Sequence, residues 1–341
     1  MVRVVDASML LSLADRATAL SAPSVMRADA WRLGERVDSW ARGRGLVLGD
    51  PDNSPLGRAR CERLAGRLFP SADPSRVDLF ARWLTWTFAL DDTLDEASVS
   101  GSATAVHAVF EDLLKAIRRG HASPGARPLE TTIVELWRAT GGLMTLEWRR
   151  RFLAHLDEHR TGCADQAVHR RIRQMPSPDT YPALRRRGAA PFLYDLVEAV
   201  LGVELPERLL ALPAWTSLLE GTADVLTWSN DIASYSRESV LGDVHNHVIV
   251  LAAAYGVEPA QAGAQVADRI AVKADEVLTG TRAMVSTIGK LRLSAAECAA
   301  ARQVVRVLLG APRAHIDWLA ESGRYTSGFS GHRLDALASL R

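Results

Sequence analysis

Two clusters of acidic and polar residues interrupt otherwise apolar, helix-forming segments of this chain, at residues 91–96 and 230–238. Residues four apart lie on one face of an α-helix. The members that share a face are Asp91 and Asp95 in the first cluster, and Asn230, Ser234 and Glu238 in the second. Two facing stripes of oxygen-bearing side chains suit magnesium, which prefers oxygen donors and octahedral geometry. The clusters therefore predict a fold in which two helices, far apart in sequence, face each other across bound metal.

The residues that precede each stripe are apolar and fall on the same helix face. Leu84 and Phe88 precede the first stripe, and Leu226 precedes the second. A pocket that is apolar at depth and binds metal at its mouth suits a ligand whose charged head and hydrocarbon tail need opposite environments. A prenyl diphosphate has this form.

These motifs resemble those of bacterial class I terpene synthases, also called terpene cyclases, from about residue 75 to Tyr325. The aspartate-rich motif of that family matches residues 91–96. Its Asn-Asp-x-x-Ser-x-x-(Lys/Arg)-Glu motif matches residues 230–238 at every defined position. The family's C-terminal Arg-Tyr pair is similar to Arg324-Tyr325, and its diphosphate-sensing arginine falls in the run Arg185-Arg186-Arg187.

The resemblance implies an all-α fold, a single-domain class I terpene synthase helical bundle surrounding a central active-site cavity. It implies one domain over residues 1–341, in which residues 1–75 form an N-terminal helical and loop segment of open role. It also implies an enzyme that uses three Mg²⁺ ions to ionise a linear prenyl diphosphate and cyclises the carbocation to a terpene hydrocarbon or alcohol. Farnesyl diphosphate is the expected substrate, and geranylgeranyl diphosphate is the alternative.

The resemblance assigns roles to individual residues. The implied magnesium ligands are Asp91, Asp95, Asn230, Ser234 and Glu238. The implied donors to the diphosphate are Arg237, Arg324, Tyr325 and Arg185, which is favoured over its neighbours Arg186 and Arg187. A helix break with a carbonyl that points into the cavity is expected at Gly188 or Ala189, since glycine is a natural helix breaker. The residues expected around the hydrocarbon are Leu84, Phe88, Leu226 and Trp318, whose aromatic members would stabilise a carbocation by cation–π interaction.

Composition excludes several other classes of protein. The 41 basic and 40 acidic residues nearly cancel, which argues against a nucleic-acid-binding surface. Cys61, Cys163 and Cys298 are widely spaced and fit neither a disulfide framework nor a zinc site, so they indicate a reducing compartment. We find no signal peptide and no apolar run of membrane-spanning length. We therefore expect a cytoplasmic protein without stable membrane insertion.

Helical patterns cover most of the chain after residue 75. They lie near residues 75–98, 103–118, 128–157, 179–202, 207–239, 243–255, 258–288 and 294–322. Pro312 marks a point for a kink or a split in the last helix, and residues 162–165 indicate a break between helices. Ser294 and Glu297 have the spacing of a capping box.

Other functions remain as alternatives to a terpene cyclase. A prenyl-chain elongating synthase would need a second aspartate-rich motif where this chain has residues 230–238, and a class II cyclase would need an Asp-x-Asp-Asp motif, which the sequence lacks. A catalytically silent helical binding protein would keep the scaffold but release no diphosphate from any prenyl substrate. Members of the family are often dimers, so a homodimer is one option for assembly. The motifs do not encode the identity of the product.

Overall fold

The computed structural model describes residues 5–326, and within them every regular element is helical, as expected for an all-α chain. The ends of the predicted domain, residues 1–4 and 327–341, lie outside the described residues. Short 3-10 helices span Ala7–Asp15, Thr18–Leu20 and Pro51–Asn53. The α-helices are α1 (Ala30–Gly43), α2 (Pro55–Ala59), α3 (Cys61–Leu68), α4 (Pro74–Leu94), α5 (Ala103–Arg119), α6 (Pro128–Gly141), α7 (Leu146–Ile172), α8 (Tyr181–Arg187), α9 (Phe192–Leu201), α10 (Glu207–Leu210), α11 (Pro213–Leu241), α12 (His247–Tyr255), α13 (Pro259–Ile288), α14 (Ala295–Glu321) and α15 (Gly323–Thr326).

The two acidic clusters lie toward the C-terminal ends of the long helices α4 and α11. Helix α4 begins at Pro74, and the carboxylate of Asp73 accepts hydrogen bonds from the first free backbone N–H groups of the helix. Helix α11 begins at Pro213 and ends before Gly242, whose φ of +67° turns the chain out of the helix. Each cluster is therefore preceded by several apolar helical turns, as the sequence pattern indicates.

The two motif helices are held by packing on several sides. Helix α11 packs against α8, α12, α13 and α14, while α4 packs against α1, α3, α6 and α9. Between α4, α7 and α9, the rings of Trp83, Phe152 and Phe192 are buried with centroids 5.3 to 6.3 Å apart. Aromatic side chains bury large apolar areas, so this cluster fixes α4 against the centre of the bundle.

One predicted helix is divided in the structure. The pattern predicts a single helix over residues 128–157, but α6 ends at Gly141 and α7 starts after Thr145. The hydroxyl of Thr145 accepts a hydrogen bond from the Trp148 N–H and caps α7. The prediction is wrong here because a local cap outweighs the continuous hydrophobic pattern.

The predicted break at residues 162–165 is also wrong, since these residues lie inside α7. A Cβ at Gly162 would lie 2.5 Å from the carbonyl carbon of Arg187 in α8. Gly162 therefore lets two backbones approach each other within a continuous helix, and its small size matters more than its flexibility.

The C-terminal helix is continuous through its proline. Helix α14 runs past the buried Pro312 to Glu321, which excludes a split at this residue. The predicted capping box is confirmed: Ser294 Oγ accepts from the Glu297 N–H, and the Glu297 carboxylate accepts from the Ser294 N–H. At the other boundary, the pattern over 207–239 is divided into the short α10 and the long α11.

The N-terminal segment packs onto the helices that carry the clusters. The 3-10 helix Ala7–Asp15 contacts α11, α13 and α14, and the Val5 carbonyl accepts a hydrogen bond from Ser236 Oγ at 3.2 Å. Helix α3 packs against α4 and α14. The segment thus contributes to the same hydrophobic core as the rest of the described chain. In residues 5–326 we find no helix that is both long and apolar enough to cross a membrane.

Candidate active site

A large cavity opens between α3, α4, α7, α8, α9, α11 and α14, and it gathers nearly all of the residues selected from the sequence. Its wall includes Leu84, Phe88, Asp91, Asp95, Arg185, Gly188, Leu226, Asn230, Arg237, Glu238, Trp318, Arg324 and Tyr325. Ser234 is the selected residue that is not part of this wall, although it lies one turn from both Asn230 and Glu238. Residues far apart in sequence therefore meet at one site.

The inner part of the cavity is apolar and aromatic. The rings of Phe88 and Trp318 lie 5.7 Å apart, and the ring of Tyr325 lies 5.5 Å from Trp318. Trp318 donates a hydrogen bond from its indole N–H to the carbonyl of Ala59 at 2.8 Å, which fixes the orientation of its ring. Leu84 and Leu226 line the cavity from the two motif helices. This part of the wall suits a hydrocarbon.

The first motif points in two directions. Asp91 and Asp95 line the cavity, while Asp92 pairs with the guanidinium of Arg324 at 2.7 Å. Burial and the nearby charge of Asp91 raise the pKa of Asp95 to about 6. Burial and a neighbouring like charge both disfavour the ionised carboxylate, and a bound cation would oppose both effects. The pair on the cavity wall is therefore well suited to a cation.

The second motif presents an amide oxygen, a hydroxyl and a carboxylate. Burial and the charge of Asp231 raise the pKa of Glu238 to about 7, and Asn246 Nδ2 donates to Glu238 Oε2 at 2.8 Å. Ser234 Oγ donates its proton to the backbone carbonyl of Asn230 at 2.8 Å. A hydroxyl that donates in this way keeps its oxygen lone pairs for another partner.

Asp231, the second residue of that motif, points away from the cavity and is fully buried. Its carboxylate accepts hydrogen bonds from the Tyr181 hydroxyl at 2.5 Å, from Arg185 Nε at 3.0 Å and from the His247 N–H at 3.1 Å. It therefore connects α8 and α12 to α11. Asp231 was not among the residues predicted from the sequence, although an acid at a defined motif position outside the ligand stripe is a signal of this kind.

The three consecutive arginines of α8 separate in the structure. Arg185 lines the cavity, whereas Arg186 pairs with Asp224 at 2.8 Å and Arg187 pairs with Asp165 at 3.0 Å. The last two ion pairs attach α8 to α11 and α7. The geometry thus agrees with the choice of Arg185 as the member of the run that faces a ligand.

The side chain of Asn230 lies between Arg185 on α8 and Tyr325 on α15. Its Oδ1 accepts from Arg185 Nη2 at 3.1 Å, and its Nδ2 donates to the Tyr325 hydroxyl at 2.9 Å. Arg324 is nearly completely buried, and its guanidinium lies 5.2 Å from the centre of the Phe88 ring. The Arg324-Tyr325 pair therefore connects the two motifs across the cavity mouth.

Arg170 on α7 makes a second connection between the two sides of the mouth. Its Nη2 lies 3.6 Å from a carboxylate oxygen of Asp95 and 3.1 Å from one of Asp243. No pattern in the sequence marks Arg170, because its importance arises only when α7 packs between α4 and the loop after α11. It is a cavity residue that the sequence analysis missed.

The expected helix break after Arg187 is present, but its cause differs from the expectation. Gly188 has a φ of −78°, which any residue can adopt, and the left-handed residue is Ala190 with a φ of +52°, followed by Pro191. A Cβ at Gly188 would clash with the side-chain amide of Gln166. The glycine therefore provides space for α7, while Ala190 turns the chain.

The residues at the mouth fit a metal that shares its coordination with a ligand. In residues 5–326 no three His, Cys, Asp or Glu side chains are close enough to hold a metal by themselves. The second motif, however, offers one carboxylate together with an amide and a hydroxyl oxygen, and Mg²⁺ commonly completes such a set with water and substrate phosphate. The raised pKa values of Asp95 and Glu238 are consistent with sites that gain from an added cation.

Comparisons with known proteins agree with this site. A family model described as "Terpene synthase family 2, C-terminal metal binding" matches residues 82–276. The (-)-delta-cadinene synthase of Streptomyces clavuligerus is 30% identical over 293 residues, covering 83% of this chain and 86% of that protein. A pentalenene synthase of Streptomyces avermitilis is 27% identical, covering 86% of this chain and 87% of that protein.

The fold is also that of solved terpene synthases. Germacradien-4-ol synthase from Streptomyces citricolor superposes with a TM-score of 0.77 at 21% identity, covering 90% of this chain and 99% of that one. This similarity confirms the predicted class I terpene synthase bundle. Together with the family match over residues 82–276 and the 30% identity to a cadinene synthase over most of both chains, it shows that the chain belongs to terpene synthase family 2, a family of metal-binding enzymes, and is a terpene cyclase.

Proposed function

We propose that this terpene cyclase is a sesquiterpene cyclase that acts on farnesyl diphosphate with three Mg²⁺ ions and releases diphosphate, as a carbon–oxygen lyase acting on a phosphate ester. One observation carries the proposal: a single cavity has an apolar, aromatic interior and a mouth lined by carboxylates and guanidinium groups. A similar protein from Roseiflexus castenholzii, 31% identical over 216 residues, is described as a (+)-T-muurolol synthase that cyclises (2E,6E)-farnesyl diphosphate. This relative supports a C15 substrate.

The proposed metal ligands lie on both sides of the mouth. Asp91 and Asp95 would hold ions on the α4 side, and Asn230, Ser234 and Glu238 would hold one on the α11 side. When bound, Mg²⁺ neutralises the leaving diphosphate and so makes the separation of anion and carbocation possible in a dry pocket.

The protein's own donors would then bind the diphosphate oxygens. Arg185, Arg237 and Arg324 would donate as charged forks, and Tyr325 would donate through its hydroxyl. Arg185 and Arg324 are paired with Asp231 and Asp92 in the described structure, so both guanidinium groups are already oriented at the mouth. Preorganised donors of this kind stabilise developing negative charge without further reorganisation.

The apolar interior would control the fate of the carbocation. Phe88 and Trp318 would stabilise positive charge through their ring faces, which cannot capture the cation as a nucleophile would. Leu84 and Leu226 would exclude water and fold the chain against these rings. Loss of a proton or capture of a water molecule would end the reaction.

We further propose that the protein is a homodimer and that it is located in the cytoplasm. The cytoplasmic location agrees with three cysteines that form no disulfide bonds.

The direct test incubates the purified protein with Mg²⁺ and, separately, geranyl, farnesyl and geranylgeranyl diphosphate, followed by gas chromatography with mass detection. We expect a cyclic C15 hydrocarbon or alcohol from farnesyl diphosphate. A cyclic product from geranylgeranyl diphosphate alone would replace the proposed substrate with the C20 alternative. No diphosphate release from any of the three would contradict the proposal and favour a silent binding protein.

A further inference from the structure

The backbone between α8 and α9 turns through a buried residue in an unfavourable conformation. Ala190 has a φ of +52° and is only 4% exposed. This left-handed region is disfavoured for a residue with a Cβ, and such a conformation persists only when its surroundings hold it in place. Residues 188–190 also line the cavity. The contacts that hold Ala190 in this conformation therefore also determine the shape of the cavity wall.

His159 on α7 contacts the backbone on both sides of this turn. The Ala190 N–H donates a hydrogen bond to Nδ1 of His159 at 3.3 Å. The backbone carbonyl of Arg187, the last residue of α8, lies close enough to the ring to favour its protonated form. A neutral imidazole has one N–H donor and one acceptor, so the bond that Nδ1 accepts from Ala190 places the proton on Nε2. One side chain thus connects the end of α8 to the turn that begins α9.

The surroundings keep this imidazole neutral and in place. Complete burial lowers the pKa of His159 to about 4, although the Arg187 carbonyl acts in the opposite direction. The ring packs between Phe110 and Phe192, with centroids 5.5 and 5.7 Å away. The Sγ of Cys163, a weak hydrogen-bonding group, lies 3.6 Å from Nδ1. Less than one turn further along α7, the absence of a side chain at Gly162 lets the Arg187 backbone approach.

The turn leaves two backbone acceptors without partners. Within residues 5–326, no hydrogen bond is formed by the carbonyl oxygens of Gly188 and Ala189. Carbonyl oxygens carry partial negative charge, and in a cavity of low polarity they stabilise a nearby cation. Their effect depends on their position, which the flanking hydrogen bonds of the turn determine.

We propose that His159 is a positioning residue for the cyclisation: its imidazole bridges α7 to the turn by accepting a hydrogen bond from the Ala190 N–H, and so fixes the cavity-lining backbone of residues 188–190 beside the carbocation. The proposal rests on the proposed function for its chemistry. The hydrogen-bonded bridge itself is a property of the fold and is testable without substrate.

Two substitutions separate the hydrogen bond from the shape of the ring. His159→Phe keeps an aromatic ring between Phe110 and Phe192 but removes the hydrogen bond that the ring accepts from the Ala190 N–H. We expect kcat to fall about tenfold, the scale of one lost buried hydrogen bond, with a shift from cyclic to acyclic products. KM should stay within about twofold, since the groups that bind the diphosphate are unchanged. His159→Gln keeps a donor and an acceptor, and its kcat should exceed that of His159→Phe by at least about threefold.

A second variant displaces the backbone at the end of α8 without changing His159. In Gly162→Ala the new Cβ would press on the carbonyl carbon of Arg187, so we expect the same shift toward acyclic products with His159 intact. The matched control is Gly280→Ala on α13, where the new Cβ meets no other atom within 4 Å. It makes the same change of side chain and should leave the product ratios unchanged.

Hydrogen exchange of the Ala190 amide, followed by mass spectrometry, tests the bridge in the substrate-free protein. We expect exchange in His159→Phe to be at least about tenfold faster than in the wild type. Wild-type product ratios in a folded His159→Phe, equal activity of the Phe and Gln variants, or unchanged Ala190 exchange would each overturn the proposal. If the wild type released no diphosphate from any prenyl substrate, the proposed function would be wrong. The hydrogen-exchange experiment would still show whether His159 holds the Ala190 amide.

Discussion

The two sides of the cavity mouth are built differently. On the α11 side, Asp231 is completely buried among partners from α8 and α12, and the Glu238 side chain is 13% exposed and accepts a hydrogen bond from Asn246, the N-cap of α12. On the α4 side, the side chains of Asp91, Asp92 and Asp95 are 57%, 36% and 35% exposed. Their ion-pair partners are Arg324 and Arg170, long side chains from other parts of the chain. The comparison indicates a rigid half-site facing an adjustable one, which suits a mouth that must close on a ligand.

The largest expected effect is on activity and tests the rigid side. Glu238→Ala removes the carboxylate of the α11 stripe, and we expect kcat/KM to fall about 1000-fold, as for the loss of a major electrostatic group. Asp95→Ala should cost clearly less, because the adjustable side can compensate with Asp91. Steady-state kinetics with farnesyl diphosphate at saturating Mg²⁺ measures both.

Glu276→Ala, an exposed acid on α13, is the matched control and should keep wild-type kinetics. Circular dichroism should show the same helical content in all three variants. If Asp95→Ala were as damaging as Glu238→Ala, the contrast between the two sides would be lost.

The second prediction concerns stability. Asp231→Ala leaves the buried guanidinium of Arg185 without its partner, so the free energy of unfolding should fall by about 3–5 kcal/mol. Asp92→Ala should cost less, about 1–2 kcal/mol, since Asp92 is partly exposed and the buried Arg324 keeps a second carboxylate, that of Asp91, 3.7 Å away. Urea unfolding followed by circular dichroism gives both values. Equal losses would show that the α4 side is as tightly built as the α11 side.

The third prediction concerns pH. The pKa of Glu238 is raised to about 7 and that of Asp95 to about 6, so lowering the pH below 7 protonates both carboxylates. Metal binding requires the deprotonated forms. We therefore expect the apparent Mg²⁺ affinity to fall about tenfold between pH 8 and pH 6, measured by titrating activity with Mg²⁺ at each pH. An affinity independent of pH in this range would be inconsistent with these ligands.

The smallest effect is expected for the residue that joins the two sides. Arg170 lowers the pKa of Asp95 against the larger effects of burial and Asp91. In Arg170→Gln that pKa should rise further, and the Mg²⁺ affinity at pH 7 should fall about threefold. Arg171→Gln, its exposed neighbour, serves as the control and should not change the affinity. An unchanged Mg²⁺ affinity in Arg170→Gln would mean that Arg170 does not control the charge of Asp95 on the α4 side.

The part of the site that could be predicted is the part that helix periodicity controls. Asp91, Asp95, Asn230 and Glu238 meet at the cavity because residues four apart share a face, which is a local property. Arg170, His159 and Tyr181 were missed because they depend on how α7 and α8 pack against the rest of the bundle, and no local pattern encodes that packing.

Two glycines also show that local sequence patterns do not predict long-range packing. Gly162 and Gly188 were interpreted as helix breakers, but each provides space for a neighbouring helix, and the residue that turns the chain is Ala190. Local propensity describes what a residue tolerates by itself, while these positions are determined by contacts with residues distant in sequence. The divided helix at residues 142–145 has a local cause, a threonine cap that the apolar pattern concealed.

The hydrogen bonds from the Trp318 indole to the carbonyls of Ala59 and Arg60 attach the N-terminal segment to an aromatic wall of the cavity. This segment precedes residue 82, where the family match begins, yet it orients an aromatic wall of the cavity and adds Leu64 and Leu68 to it. Chimaeras that exchange residues 5–73 between relatives should therefore make different terpenes while every metal motif stays the same. Such a result would show that a part of the chain without a metal motif helps to select the product.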